Sequence, residues 1–501
     1  MKVLVANRGE IAVRIIRACH ELGMSSVAVY SEADRYARHT RLASESVYIG
    51  PASAAESYMN IGAIISAARQ TGADAVHPGY GFLSENEAFA RAVEAEGLIF
   101  IGPRPETIYQ MGNKVIARQT AQAAGLPVLT SLNIELSNPD QVADLCRGLS
   151  FPLLVKAVSG GGGRGIREAN TAEELAQVVS AASQEAAAIF GNHSVYIEPL
   201  VRKARHIEVQ ILGDGQGKVL VLGERECSIQ RRRQKLVEEA PAPGLTDGLR
   251  REIHHAAWQL GMDLNYRSLG TVEFLLDADG NFYFIEVNPR IQVEHPVTEM
   301  VTGIDLVSTQ LQLSATGKLI YAQSDVQTRG SAIECRIIAE DPECGFLPET
   351  GTITDLAEPQ GPGVRVDSAM FTGMQVTTDY DSMLGKCIAW GETREIAIRR
   401  MANSLREFRI CGVKTDLPFL SQIIQSQAFV QAQFDTTFVD ENQPMLIAHT
   451  DSVDTKMIAA ALCQWLLLQE GKPQLNQPSS LVLQQTAYTP WRMAALQEQV
   501  R

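Results

Sequence analysis

Residues 271–296 decide how this chain is read: Thr271-Val272-Glu273-Phe274-Leu275-Leu276, then Asp277-Ala278-Asp279-Gly280, then Asn281-Phe282-Tyr283-Phe284-Ile285-Glu286-Val287-Asn288, then Pro289-Arg290-Ile291-Gln292-Val293-Glu294-His295-Pro296. Two apolar, aromatic-rich runs flank an Asp-Gly pair, the favoured two-residue hairpin turn. That turn sets Glu273 opposite Glu286. Directly opposed residues hold their Cβ atoms about 5 Å apart on one face, so two carboxylates there repel unless a cation lies between them. Asn288, two positions further on, shares the face of Glu286, and a row of hard oxygen ligands suits Mg²⁺ or Mn²⁺. Glu286, Asn288, Arg290 and Glu294 thus crowd one strand end, a density that points to an active site rather than a solvated acidic hairpin.

The chain has 501 residues, 45% hydrophobic and 20% charged, and is expected to be soluble, globular and long enough for about three or four domains. A formal net charge of −14 argues against a nucleic-acid binder, which needs basic surface to displace counterions. No membrane-spanning run is present, and residues 2–6 enter a strand without a signal-peptide pattern, so a cytoplasmic location is expected. The eight cysteines contain no Cys-x-x-Cys pair, which predicts reduced thiols rather than a zinc site or disulfide framework.

Working outward, residues 2–102 alternate short buried strands (3–6, 26–30, 73–76 and 98–101) with helical patterns. In the first of these helices Ile11, Ile15, Cys19 and Leu22 recur at helical spacing before Gly23 ends it. The pattern predicts a doubly wound, Rossmann-like parallel sheet. Its first turn, Asn7-Arg8-Gly9-Glu10, holds one glycine and excludes a dinucleotide fingerprint. Residues 111–312 read as an α+β domain with a helix at 171–189. From 329 onward, Ile333, Cys335 and Ile337 alternate with Glu334 and Arg336, which predicts a half-buried strand carrying both charges on one face. The Gly-, Pro- and Thr-rich stretch 345–380 predicts short strands with tight turns, 395–408 a helix, and 453–468 another, before a Gln-rich tail.

Three further segments carry chemistry. Lys156-Ala157-Val158-Ser159-Gly160-Gly161-Gly162-Gly163-Arg164-Gly165 follows a strand; four consecutive glycines arise by chance in about 1% of chains this long. Such a loop lets backbone N–H groups converge on phosphate oxygens, with Lys156 and Arg164 supplying charge. Residues 204–212 alternate strictly, with His206, Glu208 and Gln210 on a polar face and Ile207, Val209 and Ile211 on a core face. Residues 224–235 pack Arg231, Arg232, Arg233 and Lys235 into five positions, read here as an anion-binding run rather than a solvated face. Cys227 has no base beside it in sequence and reads as a buried structural thiol.

These residues resemble biotin carboxylase, an ATP-grasp enzyme family. The likeness is carried by Asn7-Arg8-Gly9-Glu10-Ile11-Ala12, His77-Pro78-Gly79-Tyr80-Gly81-Phe82-Leu83-Ser84-Glu85, the four-glycine loop, Arg231-Arg232-Arg233-Gln234-Lys235 and Asn288-Pro289-Arg290-Ile291-Gln292-Val293-Glu294-His295, in order over about residues 1 to 440. The resemblance implies a Rossmann-like N-terminal domain (1–110), an ATP-grasp domain (111–312) with a lid at about 130–202, a C-terminal domain (329–440) and an extension (445–501). It implies ATP-dependent carboxylation of biotin by bicarbonate through carboxyphosphate, with two Mg²⁺ or Mn²⁺ ions. ATP then falls to Lys114, Lys156, Gly162, Gly163, Glu198, Pro199, Leu200, Val201, His206, Arg233, Glu273 and Glu286, and metal to Glu273, Glu286 and Asn288. Bicarbonate falls to Lys235, Arg290, Gln292, Val293 and Glu294, with Lys235, Arg290, Glu294 and Arg336 catalytic. Glu294 matches the general base, Arg336 the guanidinium that stabilises the biotin enolate, and Tyr80 lies in a motif near the biotin site. Arg233 stands where histidine or asparagine is common in the family, and Pro199 occupies an often basic hinge position.

The implied partners are a biotin carboxyl carrier protein and carboxyltransferase subunits, with a homodimer expected. Neither a Met-Lys-Met biotin acceptor nor a carboxyltransferase domain is read in the sequence, so the chain is expected to be one subunit of a larger carboxylase. An acyl-CoA carboxylase, acetyl-CoA first, is the leading assignment; a pyruvate or other 2-oxo acid carboxylase and another ATP-grasp carboxylate ligase are the alternatives.

Overall fold

The computed structural model describes residues 1–134, 151–158, 166–190, 193–448, 462 and 464. Strands β1 (Lys2–Val5), β2 (Ser25–Ser31), β3 (Glu45–Gly50), β4 (Ala75–His77) and β5 (Ile99–Phe100) form one sheet in the order β3-β2-β1-β4-β5. Every pairing in it is parallel, the expected doubly wound arrangement. Strand β3 has no counterpart among the expected strands, because its burial is poor and its apolar residues few. Helix Gly9–Glu21 buries Ile11, Ile15 and Cys19, and Gly23 follows it at φ +65°, a conformation that glycine adopts without Cβ strain.

Strands β6 (Leu132–Ile134), β7 (Leu153–Ala157), β8 (Ile166–Ala169) and β9 (Val195–Pro199) make a separate sheet, order β6-β9-β7-β8. Helix Ala172–Phe190 packs on it, burying Leu175, Val179 and Ala182 against Leu153, Val155, Val195 and Ile197. This small unit carries the glycine-rich segment between β7 and β8, whose residues 159–165 lie outside the described residues, Gly162 and Gly163 included.

The centre of the protein is one eight-stranded sheet. Strands β10 (Arg205–Asp214), β11 (Val219–Arg231), β12 (Gln234–Ala240), β13 (Arg267–Leu276), β14 (Phe282–Asn288) and β15 (Ser331–Ile338) run β14-β13-β10-β11-β12-β15, and Met383–Gly391 and Val364–Ser368 complete it. All its pairings are antiparallel. The half-buried strand expected of residues 333–337 is therefore corrected: β15 is an interior strand between β12 and Met383–Gly391, and Glu334 is as completely buried as Ile333. A strict apolar/polar alternation usually marks one wet face, but here the polar face is covered by protein. The apolar face of β10 and β13 packs on helix Asp247–Asp263, and helix His295–Thr302 lies against β11, β12 and β15. The expected helix at 395–408 is found as Arg394–Glu407; that at 453–468 lies outside the described residues apart from Leu462 and Gln464.

The decisive hairpin has the expected strands and a different turn. Asp277 donates to Asn281 and Gly280 to Asp277, with Gly280 at φ +89°, so the loop has three residues, 278–280, rather than two. That loop alone would set Glu273 against Ile285. A bulge between Glu273 and Phe274 on the ladder inserts Ile285 as an extra residue and restores Glu273 opposite Glu286.

Candidate active site

Adjacent strands of the central sheet project their charges onto one face. His206 and Glu208 come from β10, Arg225 from β11, Lys235 and Glu238 from β12, Glu273 from β13, Glu286 and Asn288 from β14, and Arg336 from β15. The loop after β14 lays Gln292, Val293 and Glu294 across this row. Helix His295–Thr302 then starts with Pro296 in its first turn, where a missing N–H costs nothing.

Lys235 is the hub. Its Nζ donates to Glu208, to Glu273 Oε1 at 3.1 Å and to Glu294 Oε1 at 2.5 Å. Burial alone would strip its proton, but these three carboxylates hold its pKa well above the ordinary lysine value. Arg336 reaches the same base from the far side, with Nη2 3.0 Å from Glu294 Oε2 and Nε 2.6 Å from Glu238 Oε1. Burial pushes the Glu294 carboxyl up, and Lys235, Arg336 and Arg225 outweigh it and hold the pKa well below the usual carboxylate range. Glu294 is thus ionised, with two cations on it that an incoming anion would compete for.

Beneath this layer Arg225 is fully buried. It donates from Nε to Glu208, from Nη1 to Gln210 at 2.8 Å and Thr298 at 3.0 Å, and from Nη2 to Gln292 at 2.7 Å and Thr271 at 3.2 Å. The run at 224–235 is therefore divided: Arg225 is structural, Arg232 and Arg233 form an exposed tip in the left-handed region, and Lys235 enters the site. Gln292 in turn donates to Glu273 Oε1 at 2.9 Å. Cys227 sits in the same buried layer, with its thiol pKa pushed well above the ordinary value first by burial.

The two facing glutamates differ in their compensation. Glu273 accepts from Lys235 and Asn288 (2.8 Å) and lies 3.0 Å from His206 Nε2, and Lys235 and His206 hold its pKa down against burial. The same contact raises the His206 pKa, although burial opposes it. Glu286 has Lys114 at 3.8 Å as its ion-pair partner among the described residues, and burial with the Glu273 charge raises its pKa. Glu286, short of positive charge, and Asn288, two residues further along the same strand, offer oxygen donors of the kind that suits Mg²⁺.

Around this floor stand the remaining residues. Lys156 on β7 and Arg118 both pair with buried Glu198 on β9. Pro199, Leu200 and Val201 lead from β9 toward β10, with Leu200 N–H donating to Pro152 at 3.0 Å. Arg233 reaches the Ile166 carbonyl at 3.5 Å, next to the glycine segment. Arg290 donates to Asn288 Oδ1 at 2.9 Å and pairs with Glu85 at 3.2 Å. Tyr80 donates its hydroxyl to Glu10 at 2.5 Å.

Three family models cover nearly all of this architecture: the biotin carboxylase N-terminal domain at residues 1–108, the carbamoyl-phosphate synthase L chain ATP-binding domain at 113–321, and the biotin carboxylase C-terminal domain at 334–441. The chain belongs to the biotin carboxylase family. It is 52% identical over 430 residues to biotin carboxylase of Allochromatium vinosum, covering 86% of this chain and 95% of that one. It is 46% identical over 440 residues to a pyruvate carboxylase subunit of Methanothermobacter thermautotrophicus, covering 88% and 89%. Among solved structures it is similar to the biotin carboxylase domain dimer of Hydrogenobacter thermophilus 2-oxoglutarate carboxylase, in complex with MgADP, ADP and bicarbonate. That match has a TM-score of 0.86 and 44% identity, over 90% of this chain and 99% of that one. This biotin carboxylase is accordingly an ATP-dependent ligase.

Sequence reasoning missed Arg225, Glu238, Arg118, Glu10 and Lys386 as parts of the site. Glu238 offered a signal, a charge following the apolar pair Leu236-Val237 in a strand, whereas Arg225, set between Glu224 and Glu226, looked like part of a charged run. Lys386 offered the same signal, a lone charge in an apolar strand, but its partner Glu10 lies 376 positions away in sequence and meets it at 3.0 Å. Among the described residues, no helix is long and apolar enough to cross a membrane.

Proposed function

We propose that this chain carboxylates biotin borne on a carrier protein, as the biotin carboxylase subunit of an acyl-CoA carboxylase acting on acetyl-CoA, in the cytoplasm. The observation that carries the chemistry is the shared grip of Lys235 and Arg336 on Glu294, at 2.5 and 3.0 Å. Bicarbonate binds between Lys235, Arg290, Gln292 and Val293, and by drawing Lys235 toward itself it restores basicity to Glu294. Glu294 takes the bicarbonate proton, and the freed oxygen attacks the γ-phosphorus of ATP with ADP leaving, giving carboxyphosphate. The requirement is in-line positioning and charge neutralisation, for which Lys114, Lys156, the glycine segment and Arg233 are suited. Glu273, Glu286 and Asn288 would hold Mg²⁺ or Mn²⁺, which supplies neutralisation of phosphate charge. Carboxyphosphate breaks down to CO₂ and phosphate; phosphate takes the ureido proton of biotin, and the resulting nucleophile attacks CO₂.

Arg336 supports the enolate form of that ring, because a guanidinium keeps its charge when desolvated. Tyr80 borders the biotin pocket, and His206 with Glu198 to Val201 contacts the nucleotide. The division into residues 1–110, 111–312 with its lid, 329–440 and 445–501, and the homodimer, belong to the same proposal. A 2-oxo acid carboxylase is the second reading, favoured by the similarity to part of a pyruvate carboxylase and to a 2-oxoglutarate carboxylase domain. Copurification separates the two: a carboxyltransferase that accepts acetyl-CoA supports the first, one that accepts pyruvate or 2-oxoglutarate the second.

A further inference from the structure

Lys386 is a fully buried lysine outside every role assigned above. It lies on Met383–Gly391 directly opposite Arg336, so the two cations share the face that meets the loop after β14. Its Nζ donates to the carbonyl of Val293, the residue before the proposed base. The same Nζ lies 3.0 Å from Glu10 Oε1, and Glu10 accepts the Tyr80 hydroxyl. Glu10 opens the first helix of the N-terminal sheet, so one ammonium ties that sheet, the central sheet and the bicarbonate loop together. Two more carboxylates flank it. Asp367 is its cross-strand partner on Val364–Ser368 and is held by Arg365 at 2.6 Å, and Glu334, fully buried, has neither oxygen hydrogen-bonded among the described residues.

A buried ammonium is costly, and an apolar residue of similar length fills such space more cheaply unless its charge fixes something. We propose that Lys386 is a positioning residue: through the Val293 carbonyl it holds the Gln292-Val293-Glu294 turn in the orientation that receives bicarbonate, and through Glu10 it keys that turn to the Tyr80 loop. The inference rests on the biotin carboxylase reaction proposed above. His295 Nδ1 fixes the Gln292 carbonyl from within the turn at 2.8 Å, and the Val293 carbonyl on Lys386 ties the turn to a neighbouring strand.

The test compares wild type, Lys386→Arg, Lys386→Met and Glu10→Gln/Lys386→Met by thermal melting and by steady-state kinetics with free biotin. The double variant removes both members of the ion pair and is expected to recover most of the stability lost in Lys386→Met. Both Met variants are expected to raise the KM for bicarbonate about tenfold or more with the KM for ATP within about twofold, and Lys386→Arg to recover part of the loss. A double variant with a wild-type bicarbonate KM overturns the positioning role and makes the pair purely structural. Failure of the wild type to turn over with biotin would instead remove the reaction on which the inference rests.

Discussion

The floor of the central sheet and the small β6–β9 unit both handle charge, yet they are built in opposite ways. The floor draws on adjacent strands of an eight-stranded sheet and rests on an apolar cluster of 21 buried residues from Met111 to Val287. The small unit has eight buried apolar residues among those described, from Leu153 to Ile197, and one helix. On the floor each charge is fixed by several others: Lys235 contacts three carboxylates and Arg225 has five acceptors. In the small unit Glu198 is held by Lys156 and Arg118. In the proposed reaction, chemistry that depends on angstrom-level placement falls to the over-determined surface, and phosphate handling to the unit with the lesser described core.

Substitutions on the floor should cost the most. Lys235→Met leaves Glu208, Glu273 and Glu294 without their shared cation and is expected to lower carboxybiotin formation by about 10³-fold, read with labelled bicarbonate, and to destabilise by about 3–5 kcal/mol. Arg336→Ala is expected to reduce kcat for biotin carboxylation about 100-fold while ADP affinity by calorimetry stays within about twofold. Loss of ADP binding would mean that the floor and the nucleotide site are not separable. For the undercompensated glutamate, Glu286→Gln should raise the Mg²⁺ concentration for half-maximal ATP hydrolysis about tenfold.

Changes in the small unit should be milder and local. Leu175→Ala is expected to weaken it by about 2–4 kcal/mol, seen as faster amide exchange in β7 and β9, with a few-fold rise in the ATP KM and an unchanged bicarbonate KM. Equal exchange in the central strands would erase the contrast between the regions. The smallest effect concerns the opposite face of the floor's own strand. Burial raises the Glu224 pKa, but His254 at 2.6 Å and Arg250 at 2.9 Å bring it below the ordinary value. Its stabilisation is full above the unfolded carboxyl pKa of about 4.3 and is lost as pH falls through the lower folded value. Glu224→Gln should therefore melt lower than wild type at pH 7, with the difference narrowing below about pH 4.

How much of this was legible follows from what sequence neighbours can reveal. Alternation at 204–212 gave the shared face of His206, Glu208 and Gln210, and the pairing of Glu273 with Glu286 was anticipated correctly. The turn behind that pairing was not: a three-residue loop and a bulge at Ile285 shift the register by one residue each and cancel. The polar face of β15 looked wet because nothing in residues 331–338 reveals that strands on both sides and helix His295–Thr302 enclose it. Arg225 looked like one more cation in a basic run, since its acceptors are contributed by four other segments. Cross-strand partners at long sequence separation carry no local period, and the deepest parts of the site are made of them.

The most direct test of the central claim is ATP hydrolysis by the purified chain with Mg²⁺ and bicarbonate, with and without millimolar free biotin, alongside trapping of carboxybiotin from labelled bicarbonate. Biotin-stimulated turnover with label recovered in carboxybiotin is the predicted result. Hydrolysis that ignores biotin and leaves no labelled carboxybiotin would contradict the account, and would turn the search toward another carboxylate as the acceptor.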